Sequence, residues 1–120
     1  MSESYDFGLE AETKAVHYLT TNGYEILDRN FRFGKAEVDI IAKYQGFLVI
    51  VEVKARTSSY FGLPESFVTP KKIKLLVRAV DHYIQKNRLD LEVRFDIITY
   101  LKVKEKWQRD HIKNAFYPHQ

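Results

Sequence analysis

Cysteine is absent from the 120 residues. That removes a disulfide framework, a thiolate zinc site and a cysteine nucleophile from consideration. Long apolar runs are missing too: the longest, Phe47 to Val51, is far too short to cross a bilayer, so no membrane partner is expected. The opening residues MSESYDFG have neither a basic region nor an apolar core. No signal peptide is therefore expected, and the plain reading is a cytoplasmic protein. There are no repeats, linkers or low-complexity segments. His17, His82, His111 and His119 are scattered without ligand spacing, so none is assigned to a metal. Charge of one sign is only slightly in excess, with a net charge of +3 and a pI of about 9.0. This balance permits nucleic-acid binding without arguing strongly for it; where the charges sit matters more.

What the chain does have is 45% hydrophobic and 29% charged residues, ordinary for one soluble domain spanning 1–120. Gly8 to Asn22 reads as an amphipathic helix stopped by Asn22-Gly23, with Gly8, Ala11/Glu12, Ala15 and Leu19 inward. Glu12 on that stripe is either marginal to the buried face or functional. Tyr24 to Phe33 begins as a strand that Asp28-Arg29-Asn30 can bend. A hairpin follows, with arms Ala36–Ala42 and Phe47–Arg56 and a turn from Lys43 to Gly46. Thr57 to Thr69 reads as a loop in which Tyr60 and Phe61 either touch a base or sugar, or Phe61 and Phe67 pin the loop to the core. Thr69-Pro70 is a helix start, and the helix runs to about Lys86 with Ile73, Leu76, Val77, Val80, Tyr83 and Ile84 inward. Glu92 to Leu101 is a strand in which Arg94 and Asp96 form an ion pair or a cap. Trp107 to Ile112 is an edge strand, and Ala115-Phe116 docks on the core.

The hairpin carries charges where a covered sheet should carry none. Glu52 and Lys54 alternate onto the face of Leu48 and Ile50, and Glu37 and Asp39 onto the face of Ile41. Arms this apolar belong centrally in a sheet covered on both sides, where unpaired charge is costly. Two carboxylates at neighbouring strand ends can grip a hard divalent cation, Mg2+ or Mn2+, with the Val53 carbonyl placed to assist. Lys54 lies on the same face as Glu52, about 7 Å along the strand, in reach of a water or a phosphate oxygen. This set suits phosphodiester hydrolysis. The opposing reading of Glu52 and Lys54 is a same-face ion pair. Lys71, Lys74 and Arg78 recur at i, i+3 and i+7 with Lys72 beside them; that basic face is either solvated or meets phosphate. Cations in the first turn oppose the helix dipole, which an anionic partner would relieve.

Asp39…Glu52-x-Lys54 on adjacent strands resembles the D…(D/E)xK signature of the restriction-endonuclease-like nucleases, including archaeal Holliday-junction resolvases. The whole chain resembles the uncharacterised bacterial YraN-like family. The matching pieces are Ala15-x-x-Tyr18-Leu19, Gly23-Tyr24, Arg29-Asn30-Phe31-Arg32, Glu37-Val38-Asp39-Ile40-Ile41-Ala42, Val51-Glu52-Val53-Lys54-Ala55-Arg56, Phe61-Gly62, Lys71/Lys72, Arg94-Phe95-Asp96 and Ala115-Phe116. Ala36 stands where the family usually has glycine, and Ala11 stands where it has Gly before the helix glutamate. The resemblance implies an α/β, restriction-endonuclease-like three-layer fold with a mixed central sheet and an α-β-β-β-α-β core. It implies Asp39 and Glu52 as metal ligands with the Val53 carbonyl, Lys54 as the orienter of water or phosphate, and Glu12 and Glu37 as further carboxylates of the site. Arg56, Lys71, Lys74 and Arg78 are candidate phosphate contacts. The expected function is a magnesium-dependent endonuclease on DNA, with branched or structured DNA in view. The alternatives are a non-catalytic nucleic-acid-binding module and a protein-interaction module on the same fold. A homodimer is an expectation by analogy alone.

Overall fold

The structure is a computed structural model that describes residues 3–57 and 68–116. Expectations for Tyr60, Phe61 and Phe67 lie outside the described residues. The elements run α1 (Glu3–Thr21), β1 (Glu25–Phe33), β2 (Ala36–Tyr44), β3 (Phe47–Arg56), α2 (Pro70–Asn87), β4 (Glu92–Val103) and β5 (Lys106–Ile112). The five strands form one mixed sheet in the order β1-β2-β3-β4-β5. Neighbours are antiparallel except β3 and β4, which run parallel. Parallel neighbours need a crossover, and α2 supplies it.

Two helices on opposite faces explain why the central strands are apolar on both sides. On one face, Ala11, Ala15 and Leu19 of α1 pack with Ile40, Ala42, Val49, Val51, Val53, Ile98 and Tyr100. On the other, Leu76, Ala79, Val80 and Tyr83 of α2 pack with Val38, Ile41, Leu48, Ile50, Phe95 and Ile97. The result is a helix–sheet–helix layering with β3 in the middle. The sequence reading of both helix stripes holds, although α1 begins at Glu3 rather than Gly8 and α2 also buries Ala79. α1 stops at Thr21. Gly23 takes φ 90° and Tyr24 N–H reaches back to the Leu19 carbonyl at 3.0 Å, a closure that favours glycine. Thr69 caps α2, its hydroxyl accepting from Lys72 N–H at 3.2 Å, with Pro70 in the first turn.

The β2–β3 turn is shorter than Lys43 to Gly46. Both strands extend to Tyr44 and Phe47, and only Gln45 and Gly46 turn, at φ 46° and 84°. Two consecutive positive φ values match the hand of the strand twist, which makes this the preferred two-residue hairpin connection. β1 bends where Asp28-Arg29-Asn30 is expected to bend it: the register slips between Ile26 and Asp28, and Asn30 takes φ 53°. At the chain's far end Ala115 N–H donates to Phe95 O at 2.8 Å, and Phe116 stacks on Phe95 with centroids 4.9 Å apart.

Candidate active site

The β2–β3 ladder is regular from Tyr44↔Phe47 as far as Ile40↔Val51 and has no further partners beyond it. Where a ladder stops inside a protein, its N–H groups still need acceptors. Here side-chain carboxylates supply them across the gap. Val53 N–H donates to Asp39 Oδ2 at 2.8 Å, and Asp39 N–H donates to Glu52 Oε2 at 3.3 Å. Each acid thus accepts from the backbone of the opposite strand, which holds both carboxylates at the point where β2 and β3 part.

Strict alternation fails at the same place. Ala36 and Val38 pack toward α2, whereas Ile40 and Ala42 pack toward α1, so the pleat reverses at Asp39. Asn30, lying between the β1–β2 pairs Arg29↔Ile40 and Phe31↔Val38, takes the left-handed conformation there. The expectation that Glu37, Asp39 and Ile41 share one face is therefore corrected. Glu37 is exposed and meets Arg32 at 3.4 Å, while Asp39 is half-buried beside Glu52.

Glu52 is 1% exposed, and its partner is not Lys54. Lys72, in the first turn of α2, places Nζ 2.8 Å from Glu52 Oε1. The same-face pairing of Glu52 with Lys54 is thus corrected: a cation from the covering helix, not from two residues along the strand, neutralises the acid. Lys72 is the residue that sequence reasoning left at the side. Its signal was present, since a lysine in the first turn of α2 already opposed the helix dipole.

The electrostatics follow from burial. Asp39 is pushed up to about 7, first by burial, then by the Glu52 and Glu12 charges, against the Val53 N–H bond and Lys72. Burial alone would lower Lys72, yet the Glu52 carboxylate outweighs it and raises the lysine. Lys54 is lowered by burial and by Lys72, against the pull of Glu52 and Asp39. Glu12, half-buried on α1, is raised by burial against Arg29, and it feels Glu37 and Glu52. Its Oε1 is buried with no hydrogen-bond partner. A raised acid, a lowered base and an orphaned carboxylate oxygen lie together here, and that clustering makes this place the candidate functional site.

Among the remaining predicted residues, Arg56 is half-buried and donates to the Ala55 carbonyl at 2.8 Å. Lys71, Lys74 and Arg78 are exposed on α2. Among the described residues, no three His, Cys, Asp or Glu side chains stand together closely enough to hold a metal ion by themselves. The donors that are brought together are Asp39 and Glu52. Magnesium commonly takes only one or two protein carboxylates and fills the rest of its octahedron with water and substrate phosphate, so this pair fits it.

Arg94 and Asp96 form the expected ion pair at 2.9 Å, on the α1 side of the sheet. His111 is the residue missed there. Its Nε2 lies 2.7 Å from Asp96 Oδ2 and its Nδ1 lies 2.9 Å from Tyr18 Oη, and Arg94 also donates to Tyr24 Oη at 2.8 Å. Every member serves to satisfy another, and the network ties α1, Tyr24 just before β1, β4 and β5 together.

The family described as "Uncharacterised protein family UPF0102" matches residues 11–100. The chain is 50% identical to a UPF0102 protein of Flavobacterium psychrophilum over 117 residues, 98% of each chain. It is 49% identical to one of Christiangramia forsetii over 117 residues and 46% identical to one of Phocaeicola vulgatus over 118 residues, again 98% of each chain. The matched span runs from Ala11 in α1 to Tyr100 in β4 and so includes Asp39, Glu52, Lys54 and Lys72.

Proposed function

The chain belongs to the UPF0102 family, and we propose that this member is a magnesium- or manganese-dependent endonuclease that hydrolyses DNA phosphodiesters. The observation that carries the reading is the cross-strand pair Asp39 and Glu52, each anchored by the other strand's amide, with Lys54 and Lys72 beside it. The helix–sheet–helix layering, with an acid before and an acid–x–lysine after a central hairpin turn, supports the reading because it resembles the arrangement of restriction-endonuclease-like nucleases.

Asp39 and Glu52, with the Val53 carbonyl, would hold the cation. A cation held by these residues would supply Lewis-acid chemistry, activating water and stabilising charge on the phosphoryl oxygens. Asp39 offers an ionised carboxylate to a cation at the cost of a proton, because its pKa stands at about 7. Lys54, lowered by burial and by Lys72, orients the attacking water or a phosphate oxygen. Lys72 neutralises Glu52 and brings positive charge to the mouth of the gap. Glu12, with its free oxygen, is the carboxylate of α1 that can join the site through water. Glu37, exposed and paired with Arg32, contributes charge rather than ligation. DNA is the proposed partner, and a homodimer acting on two strands remains a proposal from analogy.

The test is cleavage of linear, single-stranded, flapped and four-way-junction DNAs with magnesium, manganese or EDTA, alongside Asp39→Ala and Lys54→Ala. Metal-dependent cutting that both substitutions abolish is the expected result. Cutting that survives both substitutions would come from a contaminant. Binding without cutting in either metal would replace this reading with a non-catalytic module.

A further inference from the structure

The outer face of α2 carries Lys71, Lys74, Arg78 and His82, spaced three, four and four residues apart. At 100° per residue these fall within about 80° of one another, and all four are exposed. Asp81, at the edge of the same arc, is the one acid on α2. The stripe begins beside Lys72, which reaches into the carboxylate site, and ends on an aromatic. Phe33, at the end of β1, lies parallel to the His82 ring with centroids 4.2 Å apart and planes within 20°. Among the described residues Phe33 is one of the few exposed large apolar side chains, at 39%. Exposed Arg32 and Lys35 flank it.

An exposed aromatic ring fixed on a histidine presents a flat apolar face to solvent, and a row of cations leads away from it. That is the composition of a single-strand platform, in which cations follow the backbone and rings receive unpaired bases. From Lys72 to His82 is ten residues of helix, about 15 Å, long enough to follow a few successive phosphates of a strand. A base in a continuous duplex is stacked between its neighbours and has no face to offer Phe33.

We propose that the α2 stripe and the Phe33–His82 pair form one strand path, in which Lys71, Lys74 and Arg78 take phosphates and Phe33 stacks on an unpaired base. The preferred substrate is then DNA with an unpaired segment a few nucleotides from the cleavage point, such as a flap or a branch. The inference deepens the endonuclease reading and rests on it for the position of the cut, but not for the binding preference.

The test is fluorescence anisotropy in EDTA, where nothing can be cut, using a labelled oligo-dT, a flapped duplex and a blunt duplex. Phe33→Ala should weaken oligo-dT and flap binding roughly 5- to 150-fold, the loss of one base–aromatic stack, and leave blunt duplex within about 2-fold. Phe33→Trp should restore it, which a fold defect would not allow. Lys74→Glu with Arg78→Glu should weaken all three DNAs alike and flatten the salt dependence. Equal losses on duplex and oligo-dT for Phe33→Ala, no loss at all, or no binding by the unaltered protein would overturn the inference. If the preference holds and cutting is absent, the nuclease reading fails and the strand path stands. If cutting is metal-dependent and Phe33→Ala changes nothing, only the strand path fails.

Discussion

Asp39 gives the sharpest handle on the site, because its cost can be worked out without knowing the substrate. Its ordinary value is 3.8 and in the fold it stands at about 7. A carboxyl raised on folding binds its proton more tightly in the native state. Stability from this group is therefore fully present below about pH 4 and is lost as pH rises through 7. The ceiling is roughly 4 kcal/mol, at about 1.4 kcal/mol for each tenfold change in proton affinity. Because Asp39 shares its environment with Glu52, about half of that, some 2 kcal/mol, is the reasonable expectation. Asp39→Asn keeps an oxygen for Val53 N–H and removes the charge. In EDTA it should match the unaltered protein near pH 4 and exceed it by about 2 kcal/mol at pH 8, or roughly 5–10 °C in Tm for a domain this size. Urea unfolding across pH 4 to 8 reads the difference directly, and using the difference cancels every other titrating group. A variant less stable than the parent at pH 8, or a gap that ignores pH, would refute the account of Asp39 as a carboxylate destabilised by burial and by Glu52. Adding Mg2+ or Mn2+ should raise the parent's Tm more at pH 8 than at pH 5.5 and do little for Asp39→Asn, since the proton competes with the cation.

Lys72→Met leaves the Glu52 carboxylate buried without its cation. It should cost roughly 1–3 kcal/mol in urea unfolding, below the range for a fully buried pair because the Lys72 side chain is 32% exposed. The same change should raise the Lys54 pKa, read by side-chain NMR, because the Lys72 charge is one of the causes holding it down. Asp96→Ala should cost roughly 3–5 kcal/mol, since it strands Arg94 at 7% exposure and takes the acceptor from His111. Burial alone would raise Asp96, but its bonds to His111 and Arg94 hold it below 3.8. Its contribution is therefore intact above pH 4 and fades as pH falls through the lower folded value, which acid unfolding of Asp96→Asn beside the parent would show. Thr69→Ala should lose about 1 kcal/mol by removing the α2 cap, again by urea unfolding.

The elements were legible because their signals are local. Helix stripes, the Thr69-Pro70 start, the Gly46 turn and the apolar run of β3 each depend on a few neighbouring residues, and each reappears in the structure. Asp39, Glu52 and Lys54 were legible for a different reason: charge inside an apolar strand contradicts the pattern around it, and the contradiction is visible without coordinates. What strand periodicity could not show is that β2 and β3 separate after Ile40 and Val51. Alternation predicts side-chain direction only while the ladder continues, so Glu37 and Asp39 were placed on the face of Ile41 when the pleat in fact reverses at Asp39. Lys72 and His111 were hidden by sequence distance. The first meets an acid 20 positions earlier, and the second meets one 15 positions earlier and a tyrosine 93 positions earlier. The two fates of buried charge in this chain then differ for one physical reason. Asp96 has four donors, two from Arg94 and one each from His111 and Asn114, so its pKa falls and it stabilises the fold. Asp39 takes one good amide bond, faces a second carboxylate, and its pKa rises. Tyrosine, arginine and histidine neighbours could have been provided for Asp39 as they were for Asp96. A carboxylate left short of donors, beside another anion and at the edge of a split sheet, carries a cost that the fold itself does not offset, and that cost is why the proposed cation is placed at Asp39 rather than at Asp96.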